Sequence, residues 1–106
     1  MNWTVEFHAA ARTEISGWPP ELQAALARIF DRVETLGLER VREPLVKHLE
    51  ANLWEMRPSG KNIEGRALYV AVKGKRVVVV LGFIKKTRKT PQRMIELAHK
   101  RAEDVE

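Results

Sequence analysis

The chain has no cysteine. That excludes a disulfide framework, a thiolate metal site and a cysteine nucleophile. It also has no apolar run approaching the roughly 20 residues a membrane helix needs. The opening residues Met1–Glu6 lack the basic and apolar regions of a secretory leader. The expected location is therefore the cytoplasm, with no membrane partner. Histidine is sparse: His8, His48 and His99 stand far apart with no i, i+4 pair. Each reads as a surface or hydrogen-bonded group, and neither a metal site nor a cofactor is expected. No repeat, linker or low-complexity stretch divides the 106 residues, so residues 1–106 are expected to form one domain around one modest core.

Acid is the scarcest feature of one long segment. Between residues 57 and 93 there are 11 Lys and Arg and a single acid, Glu64. The two halves of the chain differ accordingly. Residues 1–56 carry 6 Lys/Arg against 9 Asp/Glu, whereas residues 57–106 carry 13 against 5. A total of +5 thus hides an acidic half and a strongly basic one. That asymmetry is the footprint of a phosphate-backbone binder; a solvated basic surface with no ligand is the competing explanation.

The stretch that organises the chain is Val77–Pro91. Val77–Leu81 has no polar side and is rich in β-branched residues, which fits a strand covered on both faces. Lys85, Lys86, Arg88 and Lys89 then fall within five positions, and Thr90-Pro91 supplies an N-cap and a first helical residue. Upstream, Trp3–Phe7 alternates as a half-buried strand. Ala9–Ile15 reads as a short helix stopped by Gly17-Trp18-Pro19-Pro20. Leu22, Leu26, Ile29, Val33 and Leu36 form one stripe at helical period, closed by Gly37.

Leu38–Leu49, broken by Pro44, suggests a short turn packed on the core. Leu53–Pro58 reads as a strand with Trp54 and Met56 on one face and Leu53, Glu55 and Arg57 on the other. Arg66–Lys73 reads as a further strand, turned back at Gly74 into the central one. Ile95, Ala98, Ala102 and Val105 mark one face of a last helix. The order β-α-α-β-β-β-α gives an α+β domain. Its small, mostly antiparallel sheet is expected to have three to four strands. The first two helices cover one face, and the last lies at an edge or on the opposite face.

Cations gathered before a helix N-terminus oppose the macrodipole and repel one another. An anion there would relieve both strains and could take the helix's free N–H groups. Arg57, Lys61, Arg66, Lys85 and Lys86 could line one concave region able to hold a phosphate or two, with arginine giving bidentate contacts and lysine point charges. Such a site suits metal-free RNA cleavage, in which the 2′-OH attacks the adjacent phosphate. The enzyme then takes one proton, stabilises charge on phosphorus and returns a proton to the leaving oxygen. Arginine serves the second task, and a lysine crowded by other cations can approach the first. Glu64, the one acid nearby, reads as a loop salt-bridge partner. Tyr69 and Trp54 read as core rather than base-stacking groups.

Three strings carry a family resemblance: Leu53-Trp54-Glu55-Met56-Arg57-Pro58, Gly65-Arg66-Ala67-Leu68-Tyr69, and Gly82-Phe83-Ile84-Lys85-Lys86-Thr87-Arg88-Lys89-Thr90-Pro91. Together they resemble the phage-derived, HigB-like branch of the RelE/ParE toxin superfamily, over about Trp3–Arg101. The resemblance implies a RelE-like fold similar to small microbial ribonucleases. It also implies the toxin of a type II toxin–antitoxin pair, which cuts mRNA on the ribosome and is neutralised by a helix-turn-helix, HigA-like antitoxin in a higher oligomer. Carried over residue by residue, the family's third-strand arginine falls on Arg66, its second-strand basic residue on Arg57 and its basic residue after the last strand on Lys86, with Lys85 beside it. Arg66, Lys85 and Lys86 are thus the catalytic candidates, and Arg57 with Lys61, Arg88, Lys89 and Arg93, the other cations of the basic stretch, are the expected RNA contacts. The sequence departs from the family at Glu55, where many RelE toxins have a cation. It also lacks a tyrosine or histidine near Thr90–Gln92 and a histidine before Gly82-Phe83. Two alternatives stay open: a ParE-like inhibitor of DNA gyrase that cuts nothing, and a non-catalytic nucleic-acid-binding module. One fold hosts both toxin activities.

Overall fold

The run Val77–Leu81 is buried on both sides in the computed structural model, which describes residues 2–106. The chain forms β1 (Thr4–Phe7), α1 (Ala9–Ser16), α2 (Pro20–Leu36) and a single 3-10 turn at Leu38–Arg40. It continues through β2 (Val46–Glu50), β3 (Leu53–Met56), the two-residue β4 (Ser59–Gly60), β5 (Ile63–Val72), β6 (Arg76–Ile84) and α3 (Gln92–Ala102). The sheet order is β1-β6-β5-β3-β2, with β4 paired to the start of β5. Among the described residues only the β1–β6 pairing is parallel; the others are antiparallel.

Period-2 alternation sorts the side chains into two layers. Met56, Ala67, Tyr69, Val77 and Val79 face α1 and α2, meeting Leu22, Leu26, Ile29 and Val33 of the helical stripe. Leu53, Leu68, Val70, Val78 and Val80 face α3, meeting Ala98. The last helix therefore takes the opposite face. A register shift between β5 and β6 at Leu68/Tyr69 adds one residue to β6, so Val80 and Leu81 both turn toward α3. Gly82 then faces α1 at close quarters: a Cβ there would lie 2.4 Å from Ile15 Cγ1, so only glycine fits without moving the helix.

Parallel β1 ends at Phe7, opposite Val79, and leaves the second half of β6 without a strand on that side. Two side chains from opposite layers close the gap. Glu14 of α1 accepts from the Gly82 N–H at 3.0 Å, and Arg101 of α3 donates to the Val80 carbonyl at 3.0 Å. The two also bind each other through paired 2.9 Å hydrogen bonds. Burying those backbone groups without partners would cost about 1–3 kcal/mol each.

Two expectations from the sequence need correction. Leu38–Leu49 is more than a turn: it contains the 3-10 turn and the edge strand β2, so the sheet has five strands in line plus β4 rather than three to four. Adjacent Leu45 and Val46 blur the alternation, and the β2–β3 hairpin turns at Ala51 with φ 50°, a conformation no turn residue advertises. Thr90 does not cap α3. Pro91 holds the N-cap position, and the Thr90 hydroxyl is used elsewhere.

Candidate nucleic-acid interface

The candidate site lies where β3, β5 and the loop after β6 meet. Glu55 pairs with Leu68 across β3 and β5, and Arg66 pairs with Phe83 across β5 and β6. Both side chains therefore leave the sheet on the α3 side, beyond the part that the helix covers. Arg66 is buried, with 3% of its side chain exposed, and so is Glu55 at 4%. Arg66 Nη1 donates to the Gly65 carbonyl at 2.7 Å, and Nε lies 3.7 Å from Glu55 Oε2. Arg57, two residues beyond Glu55 and so on the same face, brings its Nε to 3.7 Å from that same oxygen. The other oxygen of Glu55 accepts the Thr90 hydroxyl at 2.6 Å. A single buried carboxylate thus ties two arginines to the loop that carries the lysines.

A second carboxylate stands at the outer end of Arg66. Glu64 Oε1 accepts from Arg66 Nη2 at 3.2 Å and from Lys85 Nζ at 3.5 Å. Its side chain is 49% exposed. Arg66 first, then Lys85, holds its carboxyl below the usual carboxylate range. The backbone fixes this pairing, since the Lys85 N–H donates to the Glu64 carbonyl at 2.8 Å.

The structure brings Arg57, Arg66 and Lys85 into one cluster. Lys86 and Arg88 follow on the loop and line an open cleft of about 610 Å³ with Asn62, Glu64, Lys85 and Thr87. Lys89 continues the exposed row, its carbonyl accepting from the Thr87 hydroxyl at 2.7 Å, and Arg93 is exposed in the first turn of α3. Lys61 sits apart from the cluster, at the exposed tip of the β4–β5 hairpin, where its N–H donates to Glu21 at 3.3 Å. The site is thus a buried, carboxylate-bound arginine edged by exposed cations, rather than an open arginine-lined concavity.

The histidines engage other groups. His8 caps α1 through Nδ1 and reaches Asp104 through Nε2; His48 bonds to the Ala51 carbonyl and His99 to Glu50. Tyr69 is core, and burial pushes its phenol up from the usual value. Trp54 is not core: it is 38% exposed, with its ring against His48 at 4.9 Å between centroids. It borders a separate, more apolar cavity of about 790 Å³ with Trp3, Val41, Val46 and Tyr69, which shares no lining residue with the basic cleft.

The role of Glu55 as the shared carboxylate was not expected from its place on the strand face with Leu53 and Arg57 or from its standing where many RelE toxins have a cation. A signal existed: an acid on a strand face shared with Leu53 and Arg57 faces burial, and buried carboxylates need partners. Thr90 was hidden by its resemblance to an N-cap.

Comparison with known proteins agrees with this architecture. The family model for phage-derived protein Gp49-like matches residues 13–103. No curated protein matches the sequence. Among solved structures, the chain is similar to one chain of the toxin–antitoxin complex RelBE2 from Mycobacterium tuberculosis, with a TM-score of 0.60 and 21% identity. The match covers 80% of this chain and 100% of that one, and the fold is RelE-like.

Proposed function

The chain belongs to the phage-derived Gp49-like family, and on that premise we propose that it is the toxin of a toxin–antitoxin pair, acting as a ribosome-dependent mRNA endonuclease. The observation that carries this reading is the buried Arg66 beside an exposed row of Lys86, Arg88, Lys89 and Arg93. Exposed cations track a phosphate backbone through counterion release. An arginine with fixed donors at the edge of that row suits the charge that grows on a phosphorus under attack. In this reading Arg66 and Lys85 face the scissile phosphate. Lys86 serves at the 2′-OH or the leaving oxygen, and Arg57, Lys61, Arg88, Lys89 and Arg93 hold the strand. The ribosome supplies the alignment that a site with so few proton-transfer groups lacks.

The RelBE2 structure was solved as a toxin–antitoxin complex, which supports an antitoxin partner here. We assign that role to a helix-turn-helix protein assembled with the toxin in a higher oligomer in the cytoplasm.

The test is primer extension on a reporter mRNA in a translating bacterial extract. New 5′ ends within codons, lost when ribosomes are omitted, are expected. Ends that persist without ribosomes would mean a free ribonuclease. No new ends, with supercoiling by gyrase stalled instead, would replace this reading with the ParE-like one.

A further inference from the structure

Arg66 meets two carboxylates that differ in burial and in bonding. Glu55 is 4% exposed and holds Arg57 and Thr90 as well; it cannot leave without stranding a buried charge. Glu64 is half-exposed, and a single oxygen makes both of its contacts, at 3.2 and 3.5 Å. Rotating that one side chain into water would free Arg66 Nη2 and Lys85 Nζ together. Those two donors, held by the same oxygen, lie within reach of one tetrahedral anion.

We infer that Arg66 Nη2 and Lys85 Nζ form one phosphodiester subsite, and that Glu64 is its resident competitor, a carboxylate that an RNA phosphate must displace. The inference rests on the RNA-directed reading above and deepens it. Three features point to displacement rather than to a structural bridge. The contacts are monodentate. The carboxylate opens onto the cleft lined by Lys86 and Arg88. The carboxylate side of both pairs is half-exposed, so water competes for it and weakens its hold. A phosphate carries more acceptor oxygens and has Lys86 and Arg88 as further partners, so it wins the exchange, whereas small inorganic anions at low concentration do not.

The experiment measures binding of a short single-stranded RNA with 2′-O-methyl sugars, which cannot be cleaved through the 2′-OH, by fluorescence anisotropy across a series of salt concentrations. Glu64→Gln keeps the shape and removes the charge. It is expected to bind about two- to fivefold tighter than wild type at low salt, the factor that release of a solvent-screened carboxylate supplies, with a steeper salt slope. Glu96→Gln, at an exposed carboxylate on α3 outside the cluster, controls for net charge and is expected to gain less. In a Lys85→Gln background the gain from Glu64→Gln should shrink or vanish. Thermal unfolding of each variant confirms that it is folded. If wild type binds and Glu64→Gln gains no more than Glu96→Gln, the competitor is overturned and the RNA reading stands. If no variant shows salt-dependent binding, both fall together.

Discussion

Two arginines flank the central strand, Arg66 buried and Arg101 partly buried, and they are bound in opposite ways. Arg101 lies at the edge of β6 that β1 leaves open. It meets Glu14 through two parallel 2.9 Å hydrogen bonds and spends one of its donors again on a backbone carbonyl. Arg66 lies on the neighbouring strand, held by Glu55 at 3.7 Å and Glu64 at 3.2 Å, with no bidentate pair. The first cluster joins α1, α3 and β6, and its distances match a saturated charge-assisted pair. The second joins β3, β5 and the basic loop, and among the described residues Arg66 Nη2 is partnered only by a half-exposed acid. Arg101 is saturated by the fold, whereas Arg66 keeps one donor against a group that can leave, as the proposed phosphate subsite needs.

The sharpest way to break the contrast is Arg101→Ala. It strands Glu14 and the Val80 carbonyl at the open edge of β6, and the expected loss is about 2 kcal/mol of unfolding free energy, measured by urea denaturation. Glu14→Ala should cost a similar amount, and the double variant should cost much less than the sum of the two. Arg66→Lys sits at the other cluster and keeps the buried positive charge that Glu55 needs. Its expected stability loss is smaller, while ribosome-dependent cleavage should fall roughly 100-fold because the forked donor is gone. Intact cleavage in folded Arg66→Lys would remove Arg66 from the proposed chemistry.

The smallest effect expected is a change in acid sensitivity. The Glu64 carboxyl is held below its ordinary value of 4.5 in the fold. Its contribution to stability is fully present above that value and is lost as pH falls through the lower folded one. Glu64→Gln should therefore lower stability slightly at neutrality, by no more than about 0.5 kcal/mol, and flatten the stability profile below about pH 4.5.

The fold was largely legible because its signals are local. The stripe from Leu22 to Leu36 and the apolar run Val77–Leu81 state their periods outright, and Gly74 marks its own hairpin. What stayed hidden depends on partners distant in sequence. β2 is a strand because β3 pairs with it, and Glu14 finds Arg101 only through the fold. The basic row was readable from composition. The state of Arg66 was not: Glu64 stands two residues away on the same face of β5, but nothing local shows that Glu55 closes on it from β3. The sequence placed Glu64 in a loop salt bridge, and it does pair with Lys85, but the buried Arg66 beneath it came only from the structure.

The parallel pairing of β1 with β6 has a consequence for the growing polypeptide. Thr4 pairs with Arg76 and Phe7 with Val79, so the first strand made must wait for the last. The strand that both layers pack against is made after the other five described strands, and the loop that Thr90 fastens to Glu55 follows it. Long-range closure of this kind is slow and comes late. The lysines and arginines of that loop therefore stay unassembled until β6 and the residues that follow it have been made.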